Sequence, residues 1–234
     1  SAIAVAKGAE TTRPGSLPTS LDEEWRRLAP VLKALSQLPK CPPISVDTYK
    51  AEAAERALNC GASIINDIYA GRKEPAILKI AAKYNVPLIL MHMQGEPNTM
   101  QKNPCYDDVV EEVREFLLQR AQEAMDAGVQ KEMIILDPGL GFGKNAQHNL
   151  TLLNHFEEVM PQGFHSMIAL SRKAFLGRII GDPEPLNRDL ATAVASAIAV
   201  AKGAEIVRVH NVAPSRQASD VAFAVRMQAV SAEC

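Results

Sequence analysis

The sequence predicts an α/β fold in which short, buried strands alternate with helices. Six short runs rich in Ile, Val and Leu recur along the chain, and such runs are typical of strands covered on both faces. Helical stretches separate most of the runs, often with a glycine before the next strand. Each run also ends in polar or charged residues, where parallel-sheet proteins gather the groups of one site.

The strands and helices follow one another in a regular βα order. The predicted strands are Ile44–Thr48, Ile64–Asp67, Leu88–Met93, Ile134–Gly139, Ile168–Lys173 and Ile206–Asn211. The predicted helices are Ser20–Leu35, Lys50–Asn59, Pro75–Tyr84, Tyr106–Ala127, Asn149–Val159, Asp189–Lys202 and Ser215–Val230. Six such strands with right-handed crossovers suit either an open doubly wound sheet or most of an eight-stranded barrel.

Composition sets limits on the class of protein. The 234 residues are 47% hydrophobic and 22% charged with a net charge of −2, which is typical of a globular chain and gives no general attraction to nucleic acid or anionic membranes. No linker divides the chain, so residues 1–234 are predicted to form one domain. The longest strongly apolar stretch, Leu190–Val200, is too short to span a bilayer.

Cysteine usage and the N-terminus favour a cytoplasmic location. The four cysteines form no Cys-x-x-Cys pair and have no zinc-ligand spacing with a histidine. Reduced, structural thiols are therefore expected. No basic region followed by an apolar core is visible at the N-terminus, so no secretory signal is predicted.

Residues 1–10 are an unusual feature, because they are identical to residues 196–205. The second copy fits its place as the end of a helix that leads into a strand. The first copy continues directly into Thr11 with no further apolar run, and a match of this length is too short for a repeat architecture. We therefore expect residues 1–10 to be a foreign or misplaced duplicate that contributes no strand of the fold.

A glycine-rich segment, residues 137–144, follows the fourth predicted strand. Its glycine spacing and Asn145 do not match a Walker A phosphate loop. A loop of this kind often has only a structural role. Asp137 favours a functional role, because a carboxylate at the end of a buried strand needs a partner that a ligand N–H could provide.

Further polar residues at strand ends suggest a shared pocket. Asp47, Asn66 and Asp67 end the first two predicted strands. Each alone is more simply explained as a helix N-cap. Together at one barrel mouth, they would form a set of donors and acceptors suited to a flat, nitrogen-rich heterocycle.

Basic residues at other strand ends suggest an anionic ligand. Arg208 and His210 alternate with valines and so share one face of the last strand. Together with Lys173 they suit phosphate or pyrophosphate, although a single arginine is usually a solvated surface group. The Thr12–Gly15 segment would add Arg13 from a loop.

Other residues favour a structural interpretation. Met91 and Met93 flank His92 in the third predicted strand, and methionine is more often core filler than a ligand contact. His148, His155 and His165 have no evident partners in the sequence and are expected to be structural.

The chain resembles the dihydropteroate synthase family of pterin-binding TIM barrels. The resemblance is carried by residues 12–15, 44–48, 64–68, 90–95 with 100–101, 137–144, 171–173 and 207–210, in this order. It implies a (β/α)8 barrel and a transferase of folate biosynthesis. The substrates would be dihydropterin hydroxymethyl pyrophosphate and p-aminobenzoate, the products dihydropteroate and pyrophosphate, and sulfonamides would compete with p-aminobenzoate.

The resemblance also implies roles for individual residues. It assigns the pterin to Asp47, Asn66, Asp137 and Lys173, the pyrophosphate to Arg208 and His210, closure over the reacting groups to Thr12 and Arg13, and the p-aminobenzoate pocket to Phe142 and Lys173. Met91 lies in a matching segment and is counted with the substrate-binding residues. The catalytic residues would be Lys173, Arg208, His210 and Arg13. Mg²⁺ would accompany the pyrophosphate, and the late helices would form a homodimer.

Two departures from the family pattern leave alternatives open. The sequence has no counterpart of the family's first strand and the loop after it, which is of the Asn-Val-Thr-Pro-Asp-Ser-Phe type. It also lacks the strand that precedes the Thr-Arg-Pro-Gly loop. Because the expected Asn ligand for Mg²⁺ lies in that first strand, no metal-binding residue is assigned, and weak pterin binding with slow turnover is expected. A corrinoid-linked methyltetrahydrofolate methyltransferase and a non-catalytic pterin-binding homologue remain alternatives.

Overall fold

The computed structural model describes residues 5–8 and 19–229. In this part of the chain seven parallel strands form one sheet in sequential order. The strands are β1 Val5–Gly8, β2 Ile44–Asp47, β3 Ile64–Asp67, β4 Leu88–Met91, β5 Ile134–Asp137, β6 His165–Ala169 and β7 Ile206–Arg208. A doubly wound sheet reverses its strand order at a switch point, whereas sequential order is that of a (β/α)8 barrel. The α/β barrel class expected from the resemblance is confirmed.

Nine α-helices lie between and after these strands in the described residues. They are α1 Leu21–Ser36, α2 Ala51–Asn59, α3 Ala76–Tyr84, α4 Val109–Asp126, α5 Ala146–Asn154, α6 Phe156–Val159, α7 Ala174–Ile180, α8 Asp189–Ala201 and α9 Val212–Met227. All seven predicted helices are present, but the fifth is divided at His155. The sequence interpretation missed α7, because seven residues ending at a left-handed Gly181 are too few to display a helical period.

The start of α1 agrees with its sequence signal. The Ser20 side chain accepts a hydrogen bond from the Glu23 backbone N–H at 3.3 Å. Acidic residues occupy the first turn of this helix, where they interact favourably with the helix dipole. Leu28 and Leu32, one turn apart, are fully buried against the sheet.

The sheet has apolar layers on both faces. One face, with Leu88, Leu90 and Leu136 among its residues, packs against the helices in the main core. The other face carries a separate cluster formed by Ile89, Ile135 and Met167 with the partly buried Ile64. Side chains alternate between the two faces along each strand. The polar residues two positions after this inner cluster therefore point toward the barrel interior.

The structure corrects the expectation that residues 1–10 contribute no strand. Val5–Gly8 pairs in parallel with Ile44–Asp47, with Gly8 opposite Asp47. The identical residues 200–203 instead end α8 and form the turn after it. Four residues of Val-Ala-Lys-Gly have no decisive local preference, so the neighbouring strand edge determines the conformation. That the segment is foreign to its position stays a prediction.

None of the helices in the described ranges is long and apolar enough to cross a membrane.

Candidate active site

Three polar side chains from β2, β3 and β7 meet at the carboxyl-terminal end of the sheet. The Asn66 amide donates to Asp47 Oδ1 at 2.7 Å, and Arg208 Nη2 donates to Asp47 Oδ2 at 2.5 Å. Asn66 is only 3% exposed, and its Oδ1 has no hydrogen-bond partner. A buried amide oxygen without a donor is costly, so this atom is an open acceptor for a ligand N–H.

Asp137 lies at the end of β5, on the same inner face. It is 2% exposed, and its Oδ1 accepts from the Gly139 backbone N–H at 2.7 Å. Burial raises the pKa of this carboxyl, while the Gly139 hydrogen bond and the charges of Lys173 and Lys144 oppose the rise. The ladder pairs Asp137 with Met91 of β4.

Lys173 follows β6 and reaches the glycine-rich loop. Its Nζ donates to the Leu140 carbonyl at 2.5 Å and lies 4.4 Å from the centre of the Phe142 ring. Burial lowers the pKa of Lys173 to about 8, although the nearby Asp137 carboxylate opposes this effect. Lys173 thus lies close to both Phe142 and Asp137, and the ligand roles expected for these residues stay predictions.

His210 pairs with Ser171 from the neighbouring strand end. Ser171 Oγ and His210 Nδ1 are 2.7 Å apart, and the His210 backbone N–H donates to the same Oγ at 3.0 Å. Arg208 and His210 therefore occupy the same rim by separate attachments, Arg208 on the Asp47 side and His210 on the Ser171 side.

Asp67 has a structural role and does not join the pocket. It is fully buried and accepts from the backbone N–H groups of Tyr69 and Gly71 at 2.8 and 2.6 Å. These bonds close the turn after β3. Burial raises the pKa of Asp67 to about 6. Thr12 and Arg13, the expected closing residues, lie outside the described residues.

Two residues that the sequence interpretation did not assign lie directly beside the site. Lys144 is 2% exposed, and its Nζ contacts His92 Nδ1 at 2.7 Å and donates to the carbonyls of Gly139 and Phe142 at 3.1 Å each. Burial lowers the pKa of both side chains, that of His92 to about 2. Neutral His92 can therefore accept from Lys144, which joins the loop after β4 to the loop after β5.

The loop after β4 lies against the glycine-rich loop. Gln101 donates to the Gly141 carbonyl at 2.7 Å, and the Tyr106 hydroxyl donates to the Gly143 carbonyl at 2.7 Å. A methyl group added at Gly139 would lie 1.9 Å from the His92 carbonyl oxygen. Only glycine permits this approach, which explains the glycine content that resembled a phosphate loop.

Met91 packs in a cluster with Met93, Met100 and Tyr69, against which Phe142 also packs. It is 4% exposed, so core packing, the simpler interpretation, describes its contacts. Its position opposite Asp137 nevertheless places it at the candidate site, and its role as a substrate contact stays a prediction.

Three histidines expected to lack partners in fact have them. His155 contacts Glu158 at 2.8 Å and His165 contacts Glu205 at 2.6 Å. His148 completes the capping box at the start of α5. The contacts of His155 and His148 are local, and that of His165 is with a residue just before the neighbouring strand, which the sequence pattern did not reveal. All three histidines retain a structural interpretation.

In the described ranges, no group of three or more His, Cys, Asp or Glu side chains could hold a metal ion. Asp47 and Asp137 are engaged with Arg208 and Gly139, respectively. The residues that the structure describes thus offer Mg²⁺ no cluster of three protein ligands.

A barrel whose mouth brings carboxylates together with basic side chains, as in the pair of Asp47 with Arg208 and the cluster of Asp137 with Lys173, is typical of an enzyme that binds a polar small molecule. Residues 5–210 match the family model for pterin binding enzymes. The chain belongs to this family, and within it to the dihydropteroate synthases, as its relatives show. The dihydropteroate synthase of Synechocystis is 44% identical over 218 residues, which are 93% of this chain and 75% of that protein.

Solved structures support the same family. The Yersinia pestis dihydropteroate synthase, in complex with a sulfonamide drug, matches with a TM-score of 0.91 and 38% identity, over 97% of this chain and 81% of that chain. The Burkholderia cenocepacia dihydropteroate synthase, in complex with 7,8-dihydropteroate, matches with a TM-score of 0.87 and 44% identity, over 97% and 82% of the two chains.

Proposed function

We propose that this chain is a transferase that condenses dihydropterin hydroxymethyl pyrophosphate with p-aminobenzoate to form dihydropteroate and pyrophosphate. The observation that carries the proposal is the set Asp47, Asn66 and Asp137 on the inner face of the barrel, of which Asn66 and Asp137 are buried and Asp47 is partly exposed. Asn66 Oδ1 lacks a donor, and Asp137 is buried with one described hydrogen bond to its carboxylate. A pterin presents amino and ring N–H donors at one edge, which complement these acceptors.

The basic rim suits the leaving group. As the C–O bond to pyrophosphate breaks, its electron pair leaves with the pyrophosphate, and negative charge grows on the departing oxygens. Lys173, Arg208 and His210 would stabilise that charge, with Arg208 oriented by its ion pair with Asp47 at 2.5 Å. The complementary positive charge on the pterin would be stabilised by Asp137.

The second half of the reaction needs little help from the protein. The neutral amine of p-aminobenzoate attacks the pterin methylene, a C–N bond forms, and the extra proton on nitrogen passes to solvent or to the released pyrophosphate. We place the aryl ring beside Phe142, whose ring faces the Lys173 ammonium at 4.4 Å. Sulfonamides, which share the aryl amine, would compete at the same position.

The direct test is a synthase assay on the purified chain with the two substrates, read as dihydropteroate and pyrophosphate in equal amounts. Asp137→Asn should lower kcat/KM by at least about tenfold, since one buried charged hydrogen bond contributes about 1.5–3 kcal/mol. The matched control is Asp126→Asn, at the exposed end of α4, which should leave activity unchanged. The chain spans about three quarters of the length of its curated relatives.

Two results would contradict the proposal. Pterin binding by calorimetry with no turnover would indicate a non-catalytic homologue. Methyl transfer from methyltetrahydrofolate to a corrinoid protein would indicate the methyltransferase, although that reaction has no pyrophosphate to explain the basic rim.

We infer that Mg²⁺ enters the site together with the pyrophosphate. Mg²⁺ keeps several waters and commonly takes phosphate oxygens as ligands, which fits a chain whose described residues offer no cluster of metal ligands. In ligand titrations, Mg²⁺ should then change the affinity for pyrophosphate. It should not change the affinity for a pterin that lacks the pyrophosphate group.

We further propose a homodimer through α8 and α9, in a cytoplasmic protein. Leu190, Val194 and Ile198 recur one turn apart on α8 and are 76%, 53% and 43% exposed. Val221 and Val225 of α9 are 66% and 71% exposed. An apolar surface of this extent on a packed helix pair is typical of a protein interface, and a second copy offers the same surface.

A further inference from the structure

The segment Ser171–Lys173 connects two of the proposed pyrophosphate contacts, because Ser171 holds His210 and Lys173 is itself the second contact. The two side chains point in opposite directions. Ser171 Oγ faces His210 at 2.7 Å, while Lys173 Nζ faces the Leu140 carbonyl at 2.5 Å. The reversal occurs at Arg172, whose φ of +57° lies in the left-handed region that costs roughly 1–2 kcal/mol for a residue with a side chain. Such a conformation persists where the surroundings hold it in place.

The first turn of α8 provides those surroundings. Arg172 Nε and Nη2 donate to the two carboxylate oxygens of Asp189 at 2.7 and 3.0 Å. The Arg172 backbone N–H donates to Thr192 Oγ1 at 3.0 Å, and Arg188 Nη1 donates to the Arg172 carbonyl at 3.0 Å. The bidentate pair with Asp189 is the most geometrically specific of these contacts.

Asp189 also reaches the strand end on the other side. Asn211, directly after His210, donates from Nδ2 to Asp189 Oδ2 at 3.0 Å. One carboxylate thus connects Arg172, which precedes Lys173, with Asn211, which follows His210. The hydrogen bonds from Arg172 and Asn211 lower the pKa of Asp189 to about 2, so this carboxylate is charged at neutral pH.

We propose that Asp189 is a positioning residue that fixes the pyrophosphate end of the site by holding the segments of Lys173 and His210 in one arrangement. This inference rests on the proposed synthase function and assigns no contact between Asp189 and the substrate. Because Asp47, Asn66 and Asp137 make no described contact with Asp189, the pterin end of the site should not depend on it.

The test measures the two ends of the site separately, by calorimetry with inorganic pyrophosphate and with a hydroxymethylpterin that lacks pyrophosphate. Asp189→Asn keeps the shape but loses the charge of the bidentate pair. We expect it to weaken pyrophosphate binding at least about tenfold and to change pterin affinity less than twofold. In steady-state assays, KM for the pyrophosphate substrate should rise.

Two further variants distinguish positioning from a general loss of structure. Asp220→Asn is the matched control, because Asp220 pairs with Arg216 on the surface of α9 at 2.6 Å and lies outside the site. It should bind both ligands as the unmodified chain does. Asp189→Glu, which keeps the charge, should recover part of the pyrophosphate affinity.

Specific outcomes overturn the inference. Unchanged pyrophosphate binding in Asp189→Asn, or equal losses of pyrophosphate and pterin binding, would show that Asp189 does not position the anion site. If the unmodified chain binds neither pyrophosphate nor its pterin ester, the proposed function itself fails. The two failures are therefore distinct.

Discussion

At the scale of single residues, the site depends on charged groups held away from water. Burial raises the pKa of Asp137 and lowers the pKa of Lys173, which in both cases disfavours the charged form. The charge of each residue partly offsets the effect of burial on the pKa of the other. The result is a lysine whose pKa of about 8 lies within the range in which enzymes are assayed. Its charge is therefore available to bind an anion at neutral pH and can be removed by a modest rise in pH.

Lys173 should produce an alkaline limb in the pH profile. The ammonium form is present below its pKa of about 8 and is lost as pH rises through that value, so anion stabilisation falls with it. We expect kcat/KM for the pyrophosphate substrate to decline above about pH 8, since this parameter reports free-enzyme pKa values. Lys173→Arg, which stays protonated, should retain some activity and shift the limb upward. A limb unchanged in that variant would assign the titration to another group.

Lys144 should contribute to stability more than a typical lysine. Lys144→Met removes the donor to His92, Gly139 and Phe142 and leaves buried acceptors without partners. We expect a loss of about 1–3 kcal/mol in the free energy of unfolding, measured by urea denaturation. Lys83→Met is the control, because Lys83 is paired with Glu55 at the surface and should cost less than about 1 kcal/mol. Equal effects would rule out a special role for the buried amine.

At the scale of elements, the loops after β4 and β5 form the floor of the site by close backbone approach. Gly139 has a φ of +64°, and Gly181, at the end of α7, has a similar φ of +70°. A Cβ at Gly139 would lie 1.9 Å from the His92 carbonyl oxygen, whereas a Cβ at Gly181 would meet no atom within 4 Å. An added Cβ would therefore cause backbone strain at both positions, but a steric clash only at Gly139.

Gly139→Ala should therefore be far more harmful than Gly181→Ala. Both changes incur the left-handed penalty of roughly 1–2 kcal/mol, but only the first forces the two loops apart. We expect Gly139→Ala to lose at least about 3 kcal/mol of unfolding free energy together with pterin binding. Thermal unfolding and calorimetry measure the two effects. Similar stability in the two variants would mean that the loops can separate at little cost.

The repeated segment shows how far an element depends on its neighbours. Residues 5–8 form β1, while the same four amino acids at positions 200–203 end a helix and begin a turn. At the first position the edge of β2 supplies hydrogen-bond partners, and at the second the preceding helix continues into the segment. Local propensity is too weak to decide between these outcomes.

At the scale of the whole molecule, the apolar surface of α8 and α9 predicts self-association. Val194→Glu combined with Val225→Glu places two charges on that surface and should convert a dimer to a monomer in sedimentation velocity. Leu118→Glu, on the partly exposed face of α4, is the control and should leave the mass unchanged. A monomeric unmodified chain would contradict the proposed dimer.

Much of this architecture was predictable, because its signals are local. Buried parallel strands have continuous apolar runs, and their polar ends lie on one edge of the sheet whatever the intervening loops do. Asp47, Asn66 and Asp137 could be selected on that basis. Asp67 could not be separated from Asn66, since only the alternation of the actual strand shows that Asp67 faces away and closes its own turn.

By itself the sequence determined the α/β class, the positions of seven helices and six strands, and the family, because periodicity and strand-end motifs depend on nearest neighbours along the chain. Only the tertiary structure decided the strand at residues 5–8, the partnership of Lys144 with His92, and the link from Asp189 to both sides of the anion site. Each of these joins residues that are distant in sequence or depends on a neighbouring strand edge. Such contacts exist only after the sheet and its helices have assembled.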